Sequence, residues 1–151
     1  MRPDREFVEC LACSCFAARR AARSITQHYE EHLKAGGLRA TQFTVLALLA
    51  AAGPQSLSRF AEMLGTERTT LTRNLRSLLD RGLVAESATG DKRVKLLSIT
   101  KRGNAAARAA LPHWRKAQAS LARRLGGDAI RALATASEAV AELLPSRTQH
   151  V

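Results

Sequence analysis

Thr69, Thr70, Thr72, Arg73 and Arg76 lie within one short stretch and have the chemistry to hold a polyanion. On a helix with 3.6 residues per turn, Thr69, Arg73 and Arg76 share a face. Arginine can donate two parallel hydrogen bonds to a guanine edge. Threonine can bond a phosphate or pack its methyl on thymine. A second basic spot, Lys92 and Arg93, follows Asp91. The aspartate is better placed to orient Arg93 through an ion pair than to face a polyanion, which would repel it.

Three cysteines, Cys10, Cys13 and Cys15, form a second cluster. An odd count argues against a structural disulfide framework. On the helix predicted there, Cys13 and Cys15 face nearly opposite ways. Cys10 and Cys13 stand one turn apart, where a disulfide is strained. Metal binding, simple packing and thiol chemistry are the three readings. No second cysteine pair follows and His28 and His32 lie several turns on, so no metal site is assigned. The two histidines have the i, i+4 spacing of a zincin pair. Tyr29, however, stands where the general-base glutamate belongs. With no glycine-rich phosphate loop and no nucleophile–base set, neither an enzyme nor a cofactor is expected.

The cationic face needs a helix to carry it. Leu71, Leu75, Leu78 and Leu79 give a helix beginning at Thr66 its apolar side, and Gly82 ends it. Ahead of it, Leu57, Phe60, Ala61 and Leu64 mark a shorter helix with Ser56 as N-cap and Gly65 as the turn. Two short helices joined through a glycine form a helix-turn-helix, whose second helix enters a major groove. Leu83 to Ser87 and Val94 to Ile99 read as a two-stranded hairpin turning at Thr89 to Lys92. Arg93 and Lys92 at its tip make it a basic wing for a neighbouring groove or phosphate.

Long helices flank this unit. The first is predicted over 5–33, with an apolar seam through Val8, Leu11, Cys15, Ala18, Ala22, Ile25 and Tyr29. Arg19, Arg20 and Arg23 occupy its other faces. Lys34 to Gly37 breaks it. Thr41 then caps an apolar, buried helix from Phe43 to Ala52, closed by Gly53-Pro54. After the hairpin, Thr100 caps a helix to Leu125, with Leu111, Trp114, Leu121 and Leu125 as its apolar side and a kink at Pro112. Gly126-Gly127 breaks it. Asp128 caps a last helix carrying Ile130, Leu133, Val140, Leu143 and Leu144, and a polar tail begins at Pro145. The termini hold more apolar surface than a small winged unit can cover, which suggests a dimer interface.

The runs Arg68-Thr69-Thr70-Leu71-Thr72-Arg73, Leu78 to Val84, Gly90-Asp91-Lys92-Arg93 and Leu97-Ser98-Ile99-Thr100 together resemble the MarR family of bacterial winged-helix regulators. The resemblance implies a mainly α fold with a small β-hairpin wing. It implies one domain over 1–151, with dimerisation helices at 5–34 and 101–144 around a winged helix-turn-helix at 41–100. It further implies a homodimer on a pseudo-palindromic DNA operator, released by a small-molecule effector or by oxidation. Tyr29, His113 and Trp114 fall where the family's effector pocket lies. Cys15-Phe16 is similar to the reactive site of the branch that senses organic hydroperoxides, and Tyr29 matches one of that branch's tyrosines. The match is partial: Tyr29 is the only tyrosine, and Arg19 and Ala40 fill other tyrosine positions.

Composition agrees with this class. The 151 residues suffice for one domain with a real core. Hydrophobic residues make up 46% and aromatics only 4%, so the core must be mostly Leu, Ala and Val. The net charge of +11 suggests a polyanionic partner. From Gln55 to Gly103, ten Lys and Arg against five Asp and Glu leave +5, so the other +6 lies on the flanking helices. No apolar run has the roughly 18 residues of a membrane span. The N-terminus lacks an apolar leader, so a cytoplasmic protein with no membrane partner is expected. The alternative to a regulator is a non-specific architectural nucleic-acid-binding protein on the same basic surface.

Overall fold

Two glycine-closed helix ends frame the middle of the chain. In the computed structural model, which describes residues 5–88 and 95–143, helix α3 (Leu57–Met63) runs into Gly65 at φ 58°. The Gly65 amide donates to the Glu62 carbonyl and the Thr66 amide to that of Ala61. Helix α4 (Arg68–Asp80) ends the same way at Gly82, φ 64°, with Gly82 bonded to Leu79 and Leu83 to Leu78. Both ends are Schellman motifs, which need a residue free to take a left-handed conformation. Because Thr66 still serves the end of α3, α4 starts at Arg68 and not at Thr66.

Ser56 caps α3 as expected, its hydroxyl accepting from the Arg59 amide at 3.2 Å. It also belongs to a short strand that the sequence did not signal. The wing is three-stranded, in the order β1 (Gln55–Ser56), β3 (Lys95–Ile99), β2 (Val84–Ala88), all antiparallel. Gln55 pairs with Leu97 and Ser56 with Leu96. On the other side Val84 pairs with Ile99 and Ala88 with Lys95. The predicted turn Thr89–Lys92, with Arg93 and Val94, lies outside the described residues.

The N-terminal helix is shorter than its apolar spacing predicts. Arg5–Ala12 is a 3-10 helix, Cys13 is extended (φ −63°, ψ 121°), and α1 spans Ser14–Leu33. Phe7, Val8 and Leu11 are exposed, Leu11 at 77%. The described residues leave them largely uncovered, and burial is what usually stabilises a short amphipathic helix. A 3-10 turn (Lys34–Gly36) and Gly37 (φ 71°) then turn the chain into α2 (Ala40–Ala52). Thr41 is inside α2 and is not its cap. The N-cap is Arg39, whose amide donates to the Gln42 side chain at 3.1 Å. Phe43, Val45, Leu46 and Leu49 of α2 are buried, as its apolar sequence demands, and Leu33, Phe60, Leu71, Leu75 and Leu78 join them in the core.

Thr100 caps α5 (Lys101–Leu125), accepting from the Gly103 amide at 2.9 Å, and the helix runs unbroken through Pro112. Its buried face differs from the expected one. Gly103, Ala107, Ala110 and Ala117 are buried with Leu121. Leu111 and Trp114 are half-buried and Leu125 is exposed. Small residues win because α5 lies close against the backbone: a Cβ on Gly36 would stand 3.0 Å from Ala110 Cα. Helix α6 (Gly127–Ala141) has Gly126 as its N-cap, with Asp128 one step inside and paired to Arg131 instead of capping. Its Leu133 and Val140, and Leu143 just beyond, are exposed. Leu144 and the tail from Pro145 lie outside the described residues. Among the described residues no single helix is long and apolar enough to cross a membrane.

Candidate nucleic-acid interface

Helix α4 divides cleanly. Leu71, Leu75 and Leu78 are buried, and Thr69, Thr72, Arg73 and Arg76 are exposed on the other side. Thr70 is half-buried at the edge. The Thr72 hydroxyl donates to the Arg68 carbonyl at 2.8 Å. Its proton is therefore taken, and the side chain presents a methyl group and an accepting oxygen. No ion pair among the described residues involves Arg73 or Arg76. Their guanidiniums always carry charge, so an unpaired exposed pair is a fixed positive site. Beside α4, the wing strands are tied by Lys95 Nζ to Glu86 at 3.0 Å. Lys92 and Arg93, with Asp91, lie outside the described residues.

A set of polar contacts that the sequence reading missed holds the far end of α4. The Arg81 guanidinium donates to the Gly37 carbonyl at 3.3 Å and to Gln42 Oε1 at 3.4 Å. Gln42 Nε2 donates to Ser77 Oγ at 3.2 Å. One glutamine thus caps α2 and anchors the cationic helix to the corner between α1 and α2. Its place three residues after an uncapped helix start was the available signal.

Tyr29 and Trp114, two of the three pocket candidates, come together. They line a cavity of about 240 Å³ with Ile25, Phe43 and Thr44. Trp114 stacks on Phe43 with ring centres 6.1 Å apart. The Tyr29 hydroxyl donates to Gln118 on α5, and burial pushes its pKa above the ordinary 10.0. His113 is not among the lining residues and sits beside Gly36. His28 and His32 are used locally. His28 Nε2 lies 3.0 Å from the Ala117 carbonyl and His32 Nδ1 lies 2.8 Å from the His28 carbonyl. Among the described residues no group of three metal-ligating side chains occurs.

Cys10, Cys13 and Cys15 are all free and exposed. The break at Cys13 separates them: Cys10 is in the 3-10 helix, Cys13 caps α1 without a side-chain bond, and Cys15 lies in its first turn. The Cys13 amide donates to the Cys10 carbonyl at 3.2 Å, folding the two backbones together.

This arrangement has close counterparts. Residues 38–95, from the corner before α2 to the start of β3, match the MarR family. The Mycobacterium tuberculosis transcriptional regulator MosR, solved in complex with DNA, is 37% identical. That match covers 88% of this chain and 99% of MosR, with a TM-score of 0.78. The chain belongs to the MarR family. The transcriptional repressor CouR, solved on a 23-mer DNA duplex, is 25% identical with a TM-score of 0.76, over 92% of this chain and 99% of CouR. YwoH of Bacillus subtilis (strain 168), an uncharacterised HTH-type transcriptional regulator, is 35% identical over 81 residues. Those residues are 54% of this chain and 59% of YwoH, so the match spans little more than half of that regulator.

Proposed function

We propose that this MarR-family chain is a homodimeric, sequence-specific DNA-binding transcriptional regulator, acting as a repressor on a pseudo-palindromic operator. The outward Thr69–Arg76 face of α4, set between the Schellman turn that closes α3 and the one that closes α4, carries the reading. Arg73 and Arg76 bond base edges or phosphates in the major groove. Thr69 and Thr70 position the helix on the backbone. Thr72 packs its methyl on a base or accepts a bond. Lys92 and Arg93 hold the wing on the next groove. The exposed apolar residues near both chain ends, Phe7, Val8 and Leu11 with Leu133, Val140 and Leu143, support a partner chain there, since the described residues leave them uncovered. The protein–DNA complexes of MosR and CouR point the same way.

Release has two supported routes. A small effector would enter the Tyr29–Trp114 cavity and bear on α2 and α5 together. Alternatively Cys15 would be oxidised, its thiolate taking oxygen from an organic hydroperoxide that leaves as the alcohol. Tyr29 is occupied by Gln118 of its own chain, so a thiolate at Cys15 would have to draw that tyrosine away from Gln118.

Anisotropy with a duplex from the gene's own upstream region tests the reading, with reduced protein and again after organic hydroperoxide. A regulator prefers its site over random duplex by about a thousandfold or more. Arg73→Ala should weaken that binding by about 1–3 kcal/mol while leaving the unfolding midpoint in place. A variant of unchanged affinity would remove Arg73 from the interface. Equal affinity for upstream and random duplex would replace the regulator with an architectural protein. Oxidation that abolishes binding in the parent but not in Cys15→Ser assigns the thiol route. Equal loss in both excludes Cys15.

A further inference from the structure

The excess charge outside the winged unit has a location. Between Asp91 and Asp128 the sequence contains no Asp or Glu, and α5 alone carries seven Lys and Arg. At about 100° per residue, Lys101, Arg108, Arg115, Lys116 and Arg123 all fall within roughly 60° of the direction opposite to buried Gly103, Ala110 and Leu121. All five are exposed in the single chain, and none is among the apolar residues assigned above to the partner chain. None is in an ion pair among the described residues, and Arg108 bonds only Asn104 of its own helix, at 2.9 Å. The row extends roughly 33 Å from Lys101 to Arg123 at 1.5 Å per residue. Helix α5 meets the wing where it begins, at Thr100, and then runs along α1 and α2. Most of this row therefore lies away from the recognition face of α4.

What lies between the cations selects the partner. Ala105, Ala109, Pro112 and Ala119 are exposed on the same side. A membrane-surface helix needs large apolar side chains to insert, and a single-strand binder needs aromatic platforms. This face has neither. Small side chains between regularly spaced cations let a helix lie close on a phosphate backbone, which carries one charge per about 1.7 Å of duplex axis. We propose that the outer face of α5 is a second, sequence-independent surface for the phosphates of duplex DNA, separate from the recognition helix.

The test is the salt dependence of binding to a labelled random-sequence duplex. Three full-length proteins are compared: the parent, Arg108→Gln/Arg115→Gln/Lys116→Gln, and Arg73→Ala/Arg76→Ala. Each lost phosphate contact lowers the slope of log affinity against log salt by about 0.9, so the α5 variant should lose about 2.7. A fourfold rise in salt then weakens it about 40-fold less than the parent. The recognition-helix variant should keep binding random duplex, and adding the α5 substitutions should remove what remains. If the triple variant folds poorly, Lys116→Gln/Arg123→Gln should lower the slope by about 1.8 on the same reasoning. Slopes equal to the parent's overturn the proposal, as does a recognition-helix variant that no longer binds random duplex. Vesicles of equal parts phosphatidylserine and phosphatidylcholine give the competing outcome. Tighter binding to them than to duplex, lost in the α5 variant, would make the surface a membrane site and overturn the duplex assignment. Failure of the regulator reading looks different: no preference for the upstream duplex, with the slope difference intact.

Discussion

Gly103→Ala should loosen the joint between the wing and the long helices. A Cβ at Gly103 would stand 1.9 Å from the Leu83 carbonyl oxygen and 2.9 Å from Ile99 Cγ1. The oxygen belongs to backbone, so no rotamer change relieves the clash. That same oxygen accepts from the Thr100 amide at 3.1 Å and lies 3.2 Å from the Thr100 hydroxyl. Sliding α5 away therefore strains the bonds that start the helix. Overpacking costs about 1–3 kcal/mol and the weakened hydrogen bonds about 1 kcal/mol each. The better helix propensity of alanine returns up to about 1 kcal/mol. The net loss is about 2–4 kcal/mol, or roughly 5–15 °C in Tm for a chain of this size. Urea unfolding at fixed protein concentration measures it, since a dimer's midpoint depends on concentration. Gly127→Ala is the control, because its nearest obstacle is the flexible end of Arg131 at 3.3 Å. A Gly103→Ala midpoint within about 0.5 kcal/mol of that control would refute the close approach of α5 to Leu83, taking half a kilocalorie as the usual range of a harmless substitution.

The cap of the same helix gives a graded pair: Thr100→Ala should cost about 1 kcal/mol, while Thr100→Ser keeps the hydroxyl bond to Gly103 and should cost less, both read from urea midpoints. Tyr29 makes a pH prediction, because burial raises its folded pKa above 10.0. The folded state holds that proton longer than the unfolded chain, so the associated stability is intact below about pH 10 and is lost as pH rises through the folded value. As the sole tyrosine, Tyr29 can be titrated by phenolate absorbance. A midpoint above 10.0 is expected, and Tyr29→Phe should flatten the alkaline loss of stability. A midpoint at or below 10.0 would show the hydroxyl to be open to solvent.

The elements that the sequence made legible are those with their own local chemistry. Ser56 and Thr100 act as caps because their hydroxyls need only an amide three residues on. Gly65 and Gly82 end helices because left-handed φ is cheap for glycine alone. The cationic face of α4 follows from helical spacing and needs no tertiary information. What escaped detection depends on partners distant in the chain. Large side chains were expected on the inner face of α5, but the short distance to Gly36 and Leu83 selects glycine and alanine there. The apolar spacing before Cys13 predicts a continuous α-helix, but helical periodicity has no force where the described residues leave the apolar side chains exposed. The two residues of β1 have no strand signal of their own and exist only because β3 offers an open edge. That pairing changes the mechanics of the site. Ser56 bonds into the sheet and caps α3 at once. A displacement of the wing strands therefore pulls on the first turn of the helix-turn-helix, and Gln42 and Arg81 hold the end of α4 to the corner beside the Tyr29–Trp114 cavity. Helix α4, wing and cavity are joined through these few polar contacts, so a shift of the corner at Gly37 is transmitted to α4.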